Sequence, residues 1–296
     1  MEKRRKGNAG ETTWLRATAT DGTSVRAEAE GEGRVILILH PGMDTGKSYA
    51  QVAARLARRY RVIRLHRRQY RLDLKTDPLR GSPCTVGEEV DHVLAMVKAV
   101  EAPVFLFGHS SGATVALEAL VTSPVSFAGG MIYEPASVLE SADVLHLSGD
   151  LIERNGEVGE GLRRARLALV KGQPGTAIGI FTQVVAGWPS FLANPAGALT
   201  ALVPAYRRLI PCQIDDLEAM ERLGVRLDAY SRLNLPVAMV GGERSPDANK
   251  EMVAAVADVL PRVERITLSG QGHTCHVRDP QKLAEVIETF AKRIFE

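Results

Sequence analysis

The stretch VFLFGHSSGATVAL, residues 104–117, holds the pattern best able to do chemistry. Gly108-His109-Ser110-Ser111-Gly112 fits G-x-S-x-G, after an apolar run that predicts a strand and before a periodic run that predicts a helix. A turn this tight strains the backbone at Ser110 and admits only small residues at 108 and 112, and it presents the hydroxyl at the top of a sheet. The N–H of Ser111, at the helix start, is aimed where an oxyanion would form. A serine hydroxyl is a weak nucleophile near neutrality, so it needs a base. SGQGHTCH (269–276) offers His273, with His276 as rival. His273, Cys275 and His276 also have the look of zinc ligands, but no second ligand pair stands at metal spacing elsewhere, so neither metal nor cofactor is expected.

A second loop, PGMDTGKS (41–48), imitates a phosphate-binding motif. The P-loop requires G-x-x-x-x-G-K-[ST]. Here only Met43, Asp44 and Thr45 separate Gly42 from Gly46, and Pro41, standing where the first glycine should fall, has no N–H to offer. The loop needs another explanation, and a P-loop nucleotidase is a distant alternative.

These residues must be positioned by regular elements. WLRATATDGTSVRAEAE (14–30) reads as two strands around an Asp21-Gly22 turn. The continuous apolar run at 35–40 suits a strand buried on both faces of a parallel sheet, and further strands are expected at 61–66, 104–108, 127–135, 235–242 and 263–270. Helical spacing recurs at 48–59, 85–100, 111–121, 248–260 and 280–295; the second of these opens with Thr85 and Glu88 as a capping box. Strand and helix alternate, which predicts an α/β fold, a mostly parallel sheet covered by helices on both faces. Residues 136 to about 230 break the rhythm with helical periodicity and no convincing strand. Such an insertion would sit over the strand C-termini as a cap. The expected organisation is a disordered tail at 1–12, a core of 13–135 and 231–296, and a helical cap at 136–230.

Composition adds little beyond exclusions. The chain has 296 residues, 45% hydrophobic and 24% charged, with a net charge of +2 that points neither toward nor away from nucleic acid. Its three cysteines (Cys84, Cys212, Cys275) are scattered and odd in number, which fits a reducing, cytoplasmic setting better than a disulfide framework. The basic start lacks the apolar core of a secretory signal, and no apolar run approaches the roughly 18 residues of a membrane span. The partner expected is a small-molecule substrate, with no nucleic acid and no membrane; a homodimer stays open.

Taken together, HPG after the third strand, GHSSG at the elbow, the helical insertion and GQGH before the last helix resemble the α/β-hydrolase superfamily over nearly the whole chain. The resemblance implies that HPGMDTGKS is an oxyanion loop, with the backbone of Gly42 or Met43 as a donor beside Ser111. It also implies a third member, an acid. The family usually places it after the strand LPVAMVGG, but that turn reads Gly242-Glu243-Arg244-Ser245-Pro246, with Ser245 at the expected aspartate position. Glu243 or Asp247 could substitute. Some members, haloalkane dehalogenases and certain lactone hydrolases among them, carry the acid after the strand that follows the elbow helix, and there MIYEP places Glu134. A glutamate ending a buried apolar strand needs a partner, and His273 Nδ1–H would be one, so Glu134 is favoured over Glu243. A serine nucleophile argues against the dehalogenase and epoxide-hydrolase branches and for an acyl-enzyme.

The implied activity is a cofactor-independent serine hydrolase acting on a small, largely apolar ester, lactone or thioester. A carbon–carbon bond hydrolase with the same triad, or a non-catalytic binding protein on the same scaffold, are the alternatives. Within the insertion, Phe181, Val184, Val185, Trp188, Phe191 and Leu192 either line the substrate pocket or form the cap's own core. The arginine-rich run RRYRVIRLHRRQYR (58–71) is expected to be a solvated face.

Overall fold

The computed structural model describes residues 12–75, 77–100, 102–136 and 149–296. The tail expected at 1–12 lies outside them but for Thr12, as do residues 137–148 of the expected cap. In chain order the elements are β1 (Thr13–Thr18), β2 (Ser24–Glu30), β3 (Val35–Leu39), α1 (Ala50–Leu56), β4 (Arg61–Leu65), α2 (Val86–Val100), β5 (Val104–His109), α3 (Ser111–Thr122) and β6 (Phe127–Tyr133). Five helices follow: α4 (Gly149–Val170), α5 (Pro174–Ala186), α6 (Ser190–Leu202), α7 (Pro204–Leu223) and α8 (Leu227–Tyr230). Then come β7 (Val237–Gly242), α9 (Asp247–Val259), β8 (Val263–Leu268), α10 (Cys275–Arg278) and α11 (Pro280–Phe295).

The eight strands form one sheet in the order β1-β2-β4-β3-β5-β6-β7-β8. β1, β2 and β4 pair antiparallel, and every pair from β4–β3 to β7–β8 is parallel. The run VILIL shows why the centre is apolar throughout. Val35, Leu37 and Leu39 enter one core with Val93 of α2, Leu120 of α3 and Val256 of α9. Ile36 and Ile38 enter the opposite core with Leu56 of α1 and Leu283, Ile287 and Phe290 of α11. Burying each such side chain contributes about 1.5–3 kcal/mol. α2 begins on its capping box: Thr85 N–H donates to Glu88 Oε2 at 2.7 Å, and Glu88 N–H donates to Thr85 Oγ1 at 3.2 Å.

Register brings the candidate residues to one end of the sheet. Leu39 pairs with Gly108 and His109 with Tyr133, so the segments after β3, β5 and β6 emerge side by side. Above them lie α4 to α7, whose own core includes Ala165, Leu169, Ile178, Ile210 and Ile214. Met43, from the loop after β3, packs against that core. α5 and α6 meet backbone to backbone: a Cβ on Gly197 would lie 2.4 Å from Gly175 O and 2.7 Å from Gly179 N.

Candidate active site

Ser110 sits between β5 and α3 with φ 55° and ψ −127°, a conformation costly for a residue with a Cβ. The surrounding chain holds it there. Its N–H donates to Tyr133 O at 2.9 Å, and its carbonyl accepts from Ala113 N–H and Ala136 N–H. The flanking glycines are required by space. A Cβ on Gly108 would lie 2.6 Å from Ala116 Cβ, and one on Gly112 would lie 2.4 Å from His40 O. The first N–H groups of α3 have no intrahelical acceptor, so the Ser111 N–H is a free donor by the geometry of any helix start.

Among the described residues, the non-glycine positions with positive φ are Met43 (53°), Ser110 (55°) and Glu134 (45°). All three were singled out in the sequence as parts of one site. They follow the neighbouring strands β3, β5 and β6.

Glu134 is 3% exposed and fully engaged. His273 Nδ1–H donates to its Oε2 at 2.6 Å. Gly242 N–H and Ser245 Oγ donate to Oε1 at 2.7 and 2.5 Å, and Asn249 Nδ2 donates to Oε2 at 2.9 Å. Burial works against the charge, but the hydrogen bond and charge of His273, with the Ser245 and Asn249 bonds, hold the carboxyl below the usual carboxylate range. Ser245, at the position where the resemblance leads one to expect an aspartate, is thus a donor to Glu134. Glu243 is placed elsewhere: its Oε2 accepts from Gly270 N–H at 2.6 Å and Ser269 Oγ at 3.1 Å.

Ser110 and His273 share the wall of a cavity of about 1220 Å³ with Gly42, Met43, Phe181 and Leu209. Lys47, Arg208 and Arg278 stand at its rim. The rival His276 lies in the same wall, its ring stacked on Tyr49 at 4.8 Å. Burial pushes its pKa down to about 4. His109 lies between the two, 4.6 Å from the His273 ring and stacked 4.5 Å from Tyr133; burial and both neighbouring histidines keep it neutral. Among the described residues no group of three or more His, Cys, Asp or Glu is arranged to hold a metal ion. In the loop after β3, Ser48 Oγ donates to Asp44 Oδ2 at 2.6 Å, and Asp44 Oδ1 accepts from Thr45 N–H at 2.7 Å, so Asp44 closes the turn that resembled a phosphate loop.

Of the insertion residues singled out, Phe181 lines the cavity. Val184 packs on Gly161 of α4, and Val185 is half-buried outside the lining. Trp188, Phe191 and Leu192 face outward, 48%, 73% and 50% exposed. Tyr206 and Leu209 of α7 take the wall positions instead.

The arginine run is not a solvated face throughout. Arg64 and Arg71 are buried, and Arg67 is 1% exposed. Carboxylates that no sequence spacing links to it explain this. Arg67 Nη2 donates to Glu89 Oε2 at 2.5 Å and Asp216 Oδ1 at 2.7 Å, and its Nη1 donates to Ser111 Oγ at 2.7 Å. Burial opposes the guanidinium charge, but Asp216 and Glu89 hold it. Ser111 Oγ in turn donates to Asp216 Oδ2 at 2.6 Å, and Tyr70 OH donates to the same oxygen at 2.8 Å. Arg67 N–H also donates to His40 Nε2 at 3.3 Å, while His40 Nδ1 donates to Pro41 O at 2.8 Å, which fixes the HPG turn. The one available signal was that Arg67 follows β4 at the ligand-binding end of a parallel sheet.

Comparison with known proteins agrees with this architecture. A solved α/β hydrolase from Sphaerobacter thermophilus DSM 20745 is 23% identical, with TM-score 0.71, over 93% of this chain and 100% of that one. An esterase from Rhodococcus sp. ECU1013 is 20% identical, TM-score 0.67, over 95% and 99%. A third structure, described as an N-acyl homoserine lactone degrading enzyme, is 19% identical, TM-score 0.63, over 93% and 100%. These likenesses concern the fold. The uncharacterized hydrolase YraK of Bacillus subtilis (strain 168) is 27% identical over 103 residues, 35% of this chain and only 38% of that protein. The profile of the alpha/beta hydrolase family matches residues 36–286, and the chain belongs to that family.

Proposed function

We propose that the protein is a serine hydrolase that cleaves a carboxylic ester or lactone through an acyl-enzyme. The observation that carries this reading is the coincidence of three left-handed residues, Met43, Ser110 and Glu134, at adjacent strand ends around one cavity, with Glu134 bonded to His273. Strain of this kind persists only where the surrounding structure over-determines it, and it concentrates at functional sites.

In this mechanism Ser110 Oγ attacks the substrate carbonyl while His273 Nε2 takes the hydroxyl proton. Glu134 fixes the tautomer by accepting from Nδ1–H and stabilises the imidazolium that forms. The N–H groups of Ser111 and of Gly42 or Met43 receive the oxyanion. Collapse of the tetrahedral intermediate breaks the C–O bond, and His273 returns its proton to the leaving alcohol. Water, deprotonated by His273, then attacks the acyl-serine and releases the acid and the free Ser110. Met43, Phe181 and Leu209 would hold the acyl portion.

The test is reaction with a fluorophosphonate, followed by peptide mass spectrometry, beside turnover of a soluble short-chain aryl ester. An adduct on Ser110, absent in Ser110→Ala together with turnover, is expected. An adduct confined to another residue, or ester turnover that survives Ser110→Ala, would overturn the assignment.

A further inference from the structure

Between Glu160 and Asp215 the chain has no acidic residue, while Arg163, Arg164, Arg166, Lys171, Arg207 and Arg208 fall in the same interval. α6 (SFLANPAGALTAL) carries no charge at all. At about 100° per residue, Phe191, Leu192, Leu199 and Leu202 share one face of it. Ala193 and Gly197 lie on the opposite face, which is the one packed on α5. The solvent face of a helix is ordinarily its polar and charged one. Here Leu199 is 65% and Leu202 76% exposed, and Trp188 and Tyr206 extend the apolar stripe beyond the two ends of the helix.

The stripe ends beside positive charge. A cleft of about 570 Å³ at the start of α7 is lined by Lys75, Arg207 and Arg208, with Leu72 and prolines for its other walls. It has no carboxylate in its lining, and none of these three cations has an ion-pair partner among the described residues. Tyr206 and Arg208 also belong to the rim of the catalytic cavity. Apolar stripe, cation cleft and cavity mouth therefore meet within residues 204–208.

We propose that this face seats the enzyme on an anionic phospholipid surface. Phe191, Leu192, Leu199 and Leu202 enter the acyl boundary, and Lys75 and Arg207 meet headgroup phosphates. Charge argues for lipid rather than a second copy of the chain. An isologous pairing across α6 would bring no carboxylate from residues 161–214 to answer these cations. No helix of the described residues is long and apolar enough to cross a membrane, and none needs to be, because docking in the interface requires only the exposed stripe. The sequence-based expectation of no membrane partner considered spanning segments alone. That the ester reaching Ser110 is drawn from the lipid is a corollary that rests on the hydrolase reading; the docking does not.

The experiment is co-sedimentation of full-length Ser110→Ala protein with two vesicle preparations, phosphatidylcholine alone and a phosphatidylcholine–phosphatidylglycerol mixture. Binding to the mixture, weakened by salt and at least about tenfold weaker on phosphatidylcholine, is expected. Leu199→Ser with Leu202→Ser should abolish most of it, and Arg207→Ser should weaken it about fivefold. Built on the unmodified protein, these surface variants should retain the melting temperature and the soluble-ester rate. Absence of binding to both preparations would overturn the proposal. So would a dimer in sedimentation velocity that Leu202→Ser dissolves and vesicles fail to compete for, which would assign the stripe to a second copy.

Discussion

Two turns at the top of the sheet each place a glutamate after a buried strand, and they differ in what surrounds the carboxylate. After β6, Glu134 is in the left-handed region, 3% exposed, and receives bonds from His273, Gly242, Ser245 and Asn249. After β7, Glu243 is exposed and ties its turn to the one after β8, accepting from Ser269 Oγ and Gly270 N–H. One strained backbone is held in place by buried partners from β7, its turn, α9 and the loop after β8; the other carboxylate reaches only the exposed turn after β8. The difference teaches that in this chain the β7 turn supplies donors to an acid it does not itself contain.

The comparison can be broken first at the acid itself. Glu134→Gln keeps the shape but removes the charge that holds His273, and kcat should fall about 10⁴-fold in a soluble-ester assay. A loss that size in Glu243→Gln instead would reverse the two turns. Ser245→Ala removes one donor to Glu134, and a fall of about tenfold in kcat with KM little changed is expected. Acid titration sharpens the same contrast in stability. His40, His92 and His276 are held near pKa 4 by burial, against 6.5 when free. The unfolded chain therefore takes up protons first, and stability present above pH 6.5 should be lost as pH falls toward 4. Glu134, with its carboxyl below the free value of 4.5, adds a further loss as pH falls below 4.5. Melting curves should show that second loss reduced in Glu134→Gln but not abolished, because Asp21, Asp44, Asp73 and Glu243 are also held below their free values. Smallest of all, Glu243→Gln should change turnover less than about twofold, as expected of an exposed side chain.

The parallel sheet and the elbow were legible because their signals are local. VILIL and VFLFG are continuous apolar runs, and Gly108 and Gly112 stand close to the serine they constrain. The contact of Glu134 with His273 could be reached because the family resemblance offered a second position for an acid, and a charge ending a buried strand demands a partner. Arg67 could not, since its partners Glu89 and Asp216 come from remote helices and no spacing links them. Trp188 and Phe191 illustrate a different limit. Their apolar character marks them as pocket lining or cap core, but it does not say whether they are turned inward or outward.

The Asp216 contact constrains how the insertion can move. α7 contributes a carboxylate to a buried group that also contains Arg67, Glu89 and the hydroxyl of Ser111, next in the chain to Ser110. Lifting that helix away would leave a guanidinium without half of its counter-charge, at a cost of about 3–5 kcal/mol. α7 is therefore a fixed wall rather than a hinged lid, and its amides near residue 216 should exchange with solvent as slowly as those of β5. A chimera that exchanges the whole insertion for a foreign one would also remove the counter-ion that Arg67 and Ser111 share.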